Sequence, residues 1–280
     1  MLIKNKKPVL IRINILILLI FVLSMIAFKP PIAQTKQGNT LYVNVNGGDD
    51  YTSIQEAINA ANESDTIYVY SGTYYENIVI DKSLNLLGEN IANTIIDGRN
   101  NGDVVFLSPK SNYINISKFT IQNSGMNIYD SGINIDSDYN RIVNIIIKNC
   151  NCGLSLDFWA HNCIISENVF TNNVKGVSVY SVYPNNNLIY HNNFAENQIN
   201  AHDNSNSTWF TLGEGNYWDD YNGQDSDGDG IGDTPYDIPG NSTQDKYPLV
   251  EPYGTPGFEI IIMFMAISIV IIMIKKKKKR

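Results

Sequence analysis

Three groups of residues in this 280-residue chain have types and spacings that could do chemistry. The sharpest is DSDGDGIGD at 225–233, where Asp225, Asp227 and Asp229 alternate, Gly228 and Gly230 permit a tight loop, and Asp233 stands ninth. Carboxylates alternating on a glycine loop suit oxygen-only coordination of a hard cation, with the Ile231 carbonyl as a further ligand. Without a cation, carboxylates this close repel one another. The expectation is a structural calcium site that folds the surrounding segment.

The second group is soft. Cys150 and Cys152 form a C-x-C, and His161 and Cys163 an H-x-C, one half-coil further on. Thiolate and imidazole are suitable copper ligands. Small buried cysteines, or one disulfide, account for the same residues. Three cysteines are too few, and odd in number, for a disulfide framework. The third group comprises the acids Asp136, Asp138 and Asp157 and the bases Lys118, Arg141, Lys148 and Lys175. A polysaccharide lyase or epimerase needs such groups within hydrogen-bond reach of one substrate proton. Spacing alone does not bring these together, so no catalytic residue is assigned. Trp209 and Trp218, in TWFTLGEGNYWDDY at 208–221, are read either as a lid with their N–H groups toward solvent or as platforms for sugar stacking.

The second and third groups lie on the repeats at 113–203, which must position them. Arg141–Leu156, Cys163–Val179 and Asn187–His202 are three passes of short β-branched strands broken by Asn and Gly. Ile147, Phe170 and Phe194 fall at equivalent places, as do Gly132, Gly153 and Gly176, with Asn200 in the next slot. A repeat of this length is one supersecondary coil, which buries its apolar face only by stacking on its neighbours. The residue types favour a parallel β-solenoid over a helical repeat. Asn123, Asn149, Asn172 and Asn197 lie near corresponding turns, where stacked asparagines can satisfy buried backbone groups. The expected fold is all-β, a right-handed parallel β-helix.

Upstream, strands are expected at 41–45, 66–70, 76–80, 84–88, 94–97 and 104–107, with one helix whose N-cap is Ser53 and whose capping-box partner is Glu56. Ile54, Ala57, Ile58 and Ala61 give that helix a single apolar face, suited to capping the open N-terminal end of a solenoid. The stretch YTSIQEAINAANESDTIYVYSGTYYENIVI resembles the opening coils of pectin-lyase-like right-handed β-helix proteins, including pectin methylesterases and the NosD group. Gly215–Tyr221, then DSDGDGIGDTPYDI, then Lys246–Leu249, resemble the C-terminal signature of NosD-like proteins, so the resemblance spans nearly all of 41–253. It implies this fold, and for bacterial members a role in maturing a copper enzyme; many archaeal relatives are surface proteins of unassigned role. The Asp loop itself is similar to thrombospondin or dockerin repeats. It departs from an EF-hand, which needs Glu at the twelfth position where Tyr236 stands. The paired aspartates of pectin methylesterase motifs and the DPHD motif of alginate epimerases are not found.

The ends carry addressing signals. Residues 1–33 place Lys4, Lys6, Lys7 and Arg12 before an apolar run, the pattern of a secretory signal or an uncleaved anchor. Residues 254–280 hold the apolar run Ile260–Ile274 before KKKKKR, as a membrane anchor or a removable sorting signal. The preceding Pro256-Gly257-Phe258 resembles archaeal PGF-type sorting signals, although Glu259 replaces the commoner glycine. The protein is therefore expected outside the membrane and held at its surface, with a β-helix domain at 34–207 and a C-terminal cap at 208–253. Residues 34–274 set 9 basic against 28 acidic side chains, a balance of −19, which excludes nucleic acid as a partner and suits divalent cations. Sequons at Asn62, Asn115, Asn206 and Asn241 offer glycan acceptors. The leading functional reading is non-catalytic, a surface module that binds polysaccharide or another envelope component. The alternatives are a carbohydrate-active enzyme and an accessory to copper-enzyme maturation.

Overall fold

The computed structural model describes residues 38–180 and 186–254, so the signal expected at 1–33 and the segment at 255–280 lie outside the described residues. Within them the chain winds into a right-handed parallel β-helix of three sheets. Sheet A has seven strands, from Thr40–Val43 to Leu188–Tyr190. Sheet B has seven, from Gly72–Tyr74 to Tyr217–Trp218, and sheet C six, from Ile78–Ile80 to Ile199–Asp203. From Thr66 to Asp203 each turn of the chain visits A, B and C in that order. Among the described residues no helix is long and apolar enough to cross a membrane.

Each strand is only two to five residues long, so it contributes one or two inward side chains, and stability comes from stacking them. The register confirms the repeat. Ile121, Ile147, Phe170, Phe194 and Trp218 pair in succession along sheet B. The rings continue as a column: Phe170 on Phe194 at 5.0 Å, Phe194 on Trp218 at 4.4 Å, and Trp218 on Tyr236 at 4.2 Å, all near-parallel. Gly153 and Gly176 stand where a Cβ would strike the carbonyls of Gly176 and Asn200, on the next turns up, and the edges of Phe170 and Phe194. Only a residue without Cβ lets the corner close this tightly.

The asparagines form ladders, with a register one residue different from that read at the turns. Asn123, Asn149 and Asn172 adopt left-handed backbone with φ of 60°, 56° and 56°, and the next equivalent is Glu196 at 59°. Asn197 aligns instead with Asn173, whose N–H donates to the Asn197 Oδ1 at 3.0 Å, while the Cys150 N–H donates to the Asn173 Oδ1 at 3.0 Å. A second ladder runs from Ile145 through Asn168, Asn192 and Asn216, each residue's N–H donating to the side-chain oxygen of the next. Asp245 ends it, accepting from the Asn216 N–H at 2.7 Å. Buried turn amides thus find acceptors that water cannot supply.

The N-terminal end is closed by the helix Ile54–Ala60, which buries Ile54, Ala57 and Ile58. Ser53 caps it, its Oγ accepting from the Glu56 N–H at 3.3 Å. Glu76 adds a cap from outside the helix, its carboxylate accepting from the Ser53 hydroxyl and the Ile54 and Gln55 N–H groups. At the other end Tyr236–Ile238 and Thr243–Asp245 form an antiparallel hairpin over the last turns. Asn115 lies in the strand Asn115–Ser117, exposed, with its Nδ2 donating to the Asn85 Oδ1 at 2.8 Å.

Candidate functional site

The outer face of sheet C collects polar groups from successive turns. The strands Ser131–Ile135, Cys152–Leu156 and Lys175–Val179 pair in parallel, with Asn134, Ser155 and Ser178 in register. Ile133, Leu154 and Val177 fill the core between them, so the period-2 alternation sets Asn134, Ser155 and Ser178 on the outer side. One step past the strand ends come Asp136, Asp157 and Tyr180. The Asp157 N–H donates to the Ile135 carbonyl at 2.8 Å and the Tyr180 N–H to that of Leu156 at 3.0 Å, which stacks the three on consecutive turns. Asp103 joins from the turn ahead of Val105–Leu107, accepting from the Ser131 N–H at 2.7 Å and the Asn134 Nδ2 at 3.0 Å.

Three carboxyl groups therefore share one face. Partial burial raises all three from the usual carboxylate range. For Asp157 the charges of Asp136 and Asp103 raise it further, while Asn134 partly offsets them. The floor is rich in acceptors. Asn134 Oδ1 is buried without a partner, and Ser178 Oγ, fully buried, lies beside the Tyr180 hydroxyl without a well-formed hydrogen bond. The Ser131 hydroxyl is spent on Ser155 at 3.0 Å. Lys175 lies over the Tyr180 ring at 5.8 Å.

Exposed aromatics rise at both ends of these strands. Phe158 and Trp159, 58 % and 64 % exposed, follow the strand Cys152–Leu156, and the Trp159 N–H donates to Asp136 Oδ1 at 3.3 Å. Met126, Ile128 and Tyr129 precede Ser131–Ile135 and are exposed as well. Asn151 holds their turn through the carbonyls of Met126 and Asn127. Exposed apolar side chains thus flank the polar column in the turns before and after its strands, an arrangement suited to a ligand with both ring faces and hydroxyl or amino groups.

Other expected site residues fare differently. Asp225, Asp227 and Asp229 do converge, each offering an oxygen within 4.8 Å of the others. Asp233 does not join them; its carboxylate accepts from the Ser226 N–H and hydroxyl, and the Ile231 N–H donates to Asp229. The soft-metal set is not assembled. Among the described residues Cys150, Cys152, Cys163 and His161 form no group of three ligand atoms, and His161 Nδ1 meets Asp138 at 2.8 Å instead. Burial pushes the thiols up to about 11 for Cys150 and about 12 for Cys152 and Cys163, away from the thiolate a metal needs. They are free cysteines buried in the stack.

The tryptophans reverse expectation. Trp209 and Trp218 are buried, and their Nε1–H groups donate to Asp203 at 2.9 Å and Asp245 at 3.0 Å rather than to solvent. Neither can stack on a sugar. The exposed indole is Trp159. Sequence reasoning also missed Asp103 and Asn134, although one signal was present: Asp136 and Asp157 are separated by the same 21 residues as Gly132 and Gly153. Asp138, two residues on from Asp136, turns toward His161 and leaves the cluster.

No family model matches the chain. Two Arabidopsis thaliana proteins, "Probable pectinesterase/pectinesterase inhibitor 6" and "41", are 43 % and 42 % identical to it over 70 and 69 residues. Those matches cover 22 % and 21 % of this chain, and only 13 % and 12 % of the two proteins' lengths. Among solved structures, a pectin methylesterase from carrot superposes with a TM-score of 0.45 at 15 % identity, over 62 % of this chain and 71 % of that one. An α-1,3-glucanase catalytic domain, in complex with tetrasaccharides, gives 0.44 at 15 %, over 67 % and 34 %. These are likenesses; the parallel β-helix stands on this chain's own strand pairing.

Proposed function

We propose that the chain is an exported β-helix protein that binds polysaccharide along the outer face of sheet C. The observation that carries this is the exposed pair Phe158–Trp159 beside the stacked carboxyl groups of Asp136 and Asp157. Aromatic rings offer the apolar faces of sugars a flat partner, and carboxyl oxygens accept from their hydroxyls. The short match to pectinesterases supports a carbohydrate-related role. In this reading the segment at 254–280, or a lipid that replaces it, holds the protein at the outer surface of the membrane. Calcium at Asp225, Asp227 and Asp229 steadies the C-terminal cap. The test is binding of the full chain, in detergent, to an array of polysaccharides. Trp159→Ala should weaken the best ligand; binding that is indifferent to Trp159 and Phe158 would place the ligand elsewhere.

A second reading, a carbohydrate-active enzyme, is favoured by one observation. Asp136 and Asp157 are neighbours with raised carboxyl groups, a starting point for acid–base work. It predicts that the bound polymer is shortened or modified over time, and that Asp157→Asn stops this even at polymer concentrations that saturate binding.

A further inference from the structure

We infer that this face selects glycans bearing protonated amino groups, such as polymers of glucosamine, over neutral or uronate-rich ones. The inference rests on the polysaccharide reading above and names its ligand class. Its first ground is the balance of charge. Asp103, Asp136 and Asp157 all bear on one patch, and the nearby cation Lys175 lies over the ring of Tyr180. A uronate adds a fourth negative charge to that patch, whereas an ammonium relieves the repulsion already there.

The second ground is independent of the carboxyl groups. Asn134 Oδ1, on the outer column, is buried without a partner, and the fully buried Ser178 Oγ, in register two turns on, has the Tyr180 hydroxyl beside it without a well-formed hydrogen bond. The donors nearby are spent, Asn134 Nδ2 on Asp103 and the Ser131 hydroxyl on Ser155. The unpaired Asn134 oxygen calls for a donor, and the Ser178 hydroxyl can accept one. An ammonium carries three N–H donors and no acceptor, the complement of such a floor. A basic peptide carries the same charge, but a sugar also presents the flat C–H faces that Phe158 and Trp159 are exposed to receive.

The experiment measures binding of the full chain in detergent to a glucosamine hexamer, its N-acetylated counterpart, a galacturonate oligomer and oligolysine, with and without a chelator. The glucosamine hexamer should bind at least about tenfold more tightly than the N-acetylated form, one charge-assisted contact's worth. Asp157→Asn should abolish that preference. Asp136→Asn, which keeps an oxygen for the Trp159 N–H, should do the same with an unchanged melting temperature. Equal or tighter binding of the N-acetylated or galacturonate oligomer, or binding that requires calcium, overturns the selectivity and leaves the polysaccharide reading intact. Trp159-dependent binding of oligolysine in preference to glycans overturns the glycan assignment. Binding of none of the oligosaccharides overturns the polysaccharide reading itself.

Discussion

Trp159 and Trp218 should behave as opposites, and the contrast tests both the site and the core. Trp218 is 1 % exposed, packed between Phe194 at 4.4 Å and Tyr236 at 4.2 Å, with its Nε1–H donating to Asp245. Truncating a buried aromatic to alanine costs about 3–5 kcal/mol, and here it also strips one donor from a buried carboxyl group. Of a typical total of about 5–15 kcal/mol, that is enough to loosen the C-terminal turns. Trp218→Phe keeps a ring in the column but loses the N–H and part of the indole's volume, and should cost about 1–3 kcal/mol. Trp159 is 64 % exposed, so Trp159→Ala should change stability by less than about 0.5 kcal/mol. Its effect should fall on binding, where one aromatic stacking contact contributes about 0.5–1.5 kcal/mol, roughly a two- to tenfold loss. The assays are denaturant unfolding and glycan titration on the same preparations. A Trp159→Ala protein less stable than Trp218→Ala, or a Trp218→Ala protein that keeps its stability and loses binding, would refute the assignment of the two indoles.

Three further outcomes follow from the same geometry. Calcium should raise the melting temperature and a chelator lower it, by about 2.7 kcal/mol of stability at a hundredfold excess over the dissociation constant, and Asp225→Asn should remove the response; a melting temperature indifferent to calcium rules out the loop at 225–233 as a site. Gly176→Ala drives a Cβ into the Asn200 carbonyl and the edge of Phe194, and should cost about 1–3 kcal/mol in unfolding experiments, whereas Gly47→Ala, with open space around it, should show only backbone strain. Because the folded carboxyl group of Asp157 is raised, the native state holds its proton longer than the unfolded chain does. Its contribution is therefore most favourable at low pH and is lost as pH climbs from the ordinary carboxyl range through the folded value. The difference in stability between the wild type and Asp157→Asn should drift in that window, and a flat difference would mean that folding does not raise the Asp157 carboxyl group.

The local rules carried far because a solenoid is nearly one-dimensional: each turn contacts its neighbours, so a period in the sequence becomes a period in space. Ile147, Phe170 and Phe194 could be aligned by spacing, and their pairing follows it. The Ser53 cap and the apolar stripe of Ile54, Ala57 and Ile58 likewise need only nearby residues, and the convergence of Asp225, Asp227 and Asp229 needs only one loop. A single-residue ambiguity was harder. Asn172 and Asn173 are adjacent in sequence, yet one holds a left-handed turn and the other a buried ladder, and which is which depends on the backbone of the next turn.

Exposure was decided by tertiary structure alone. Trp159, Trp209 and Trp218 are chemically identical side chains, and what separates them is whether a later segment covers them. Asp203 and Asp245 draw two of the indoles inward, and the hairpin at 236–245 closes over one end. The same holds for charge. Asp136 and Asp138 are two residues apart, but the corner of the coil sends Asp138 to His161 and leaves Asp136 beside Asp157 and its neighbour Asp103. Sequence thus determined the coil, its caps and the acidic loop, all built from local contacts and a repeat. Which carboxyl groups share a face, and which ring meets solvent, depended on turns 20 to 30 residues apart in the chain coming into register.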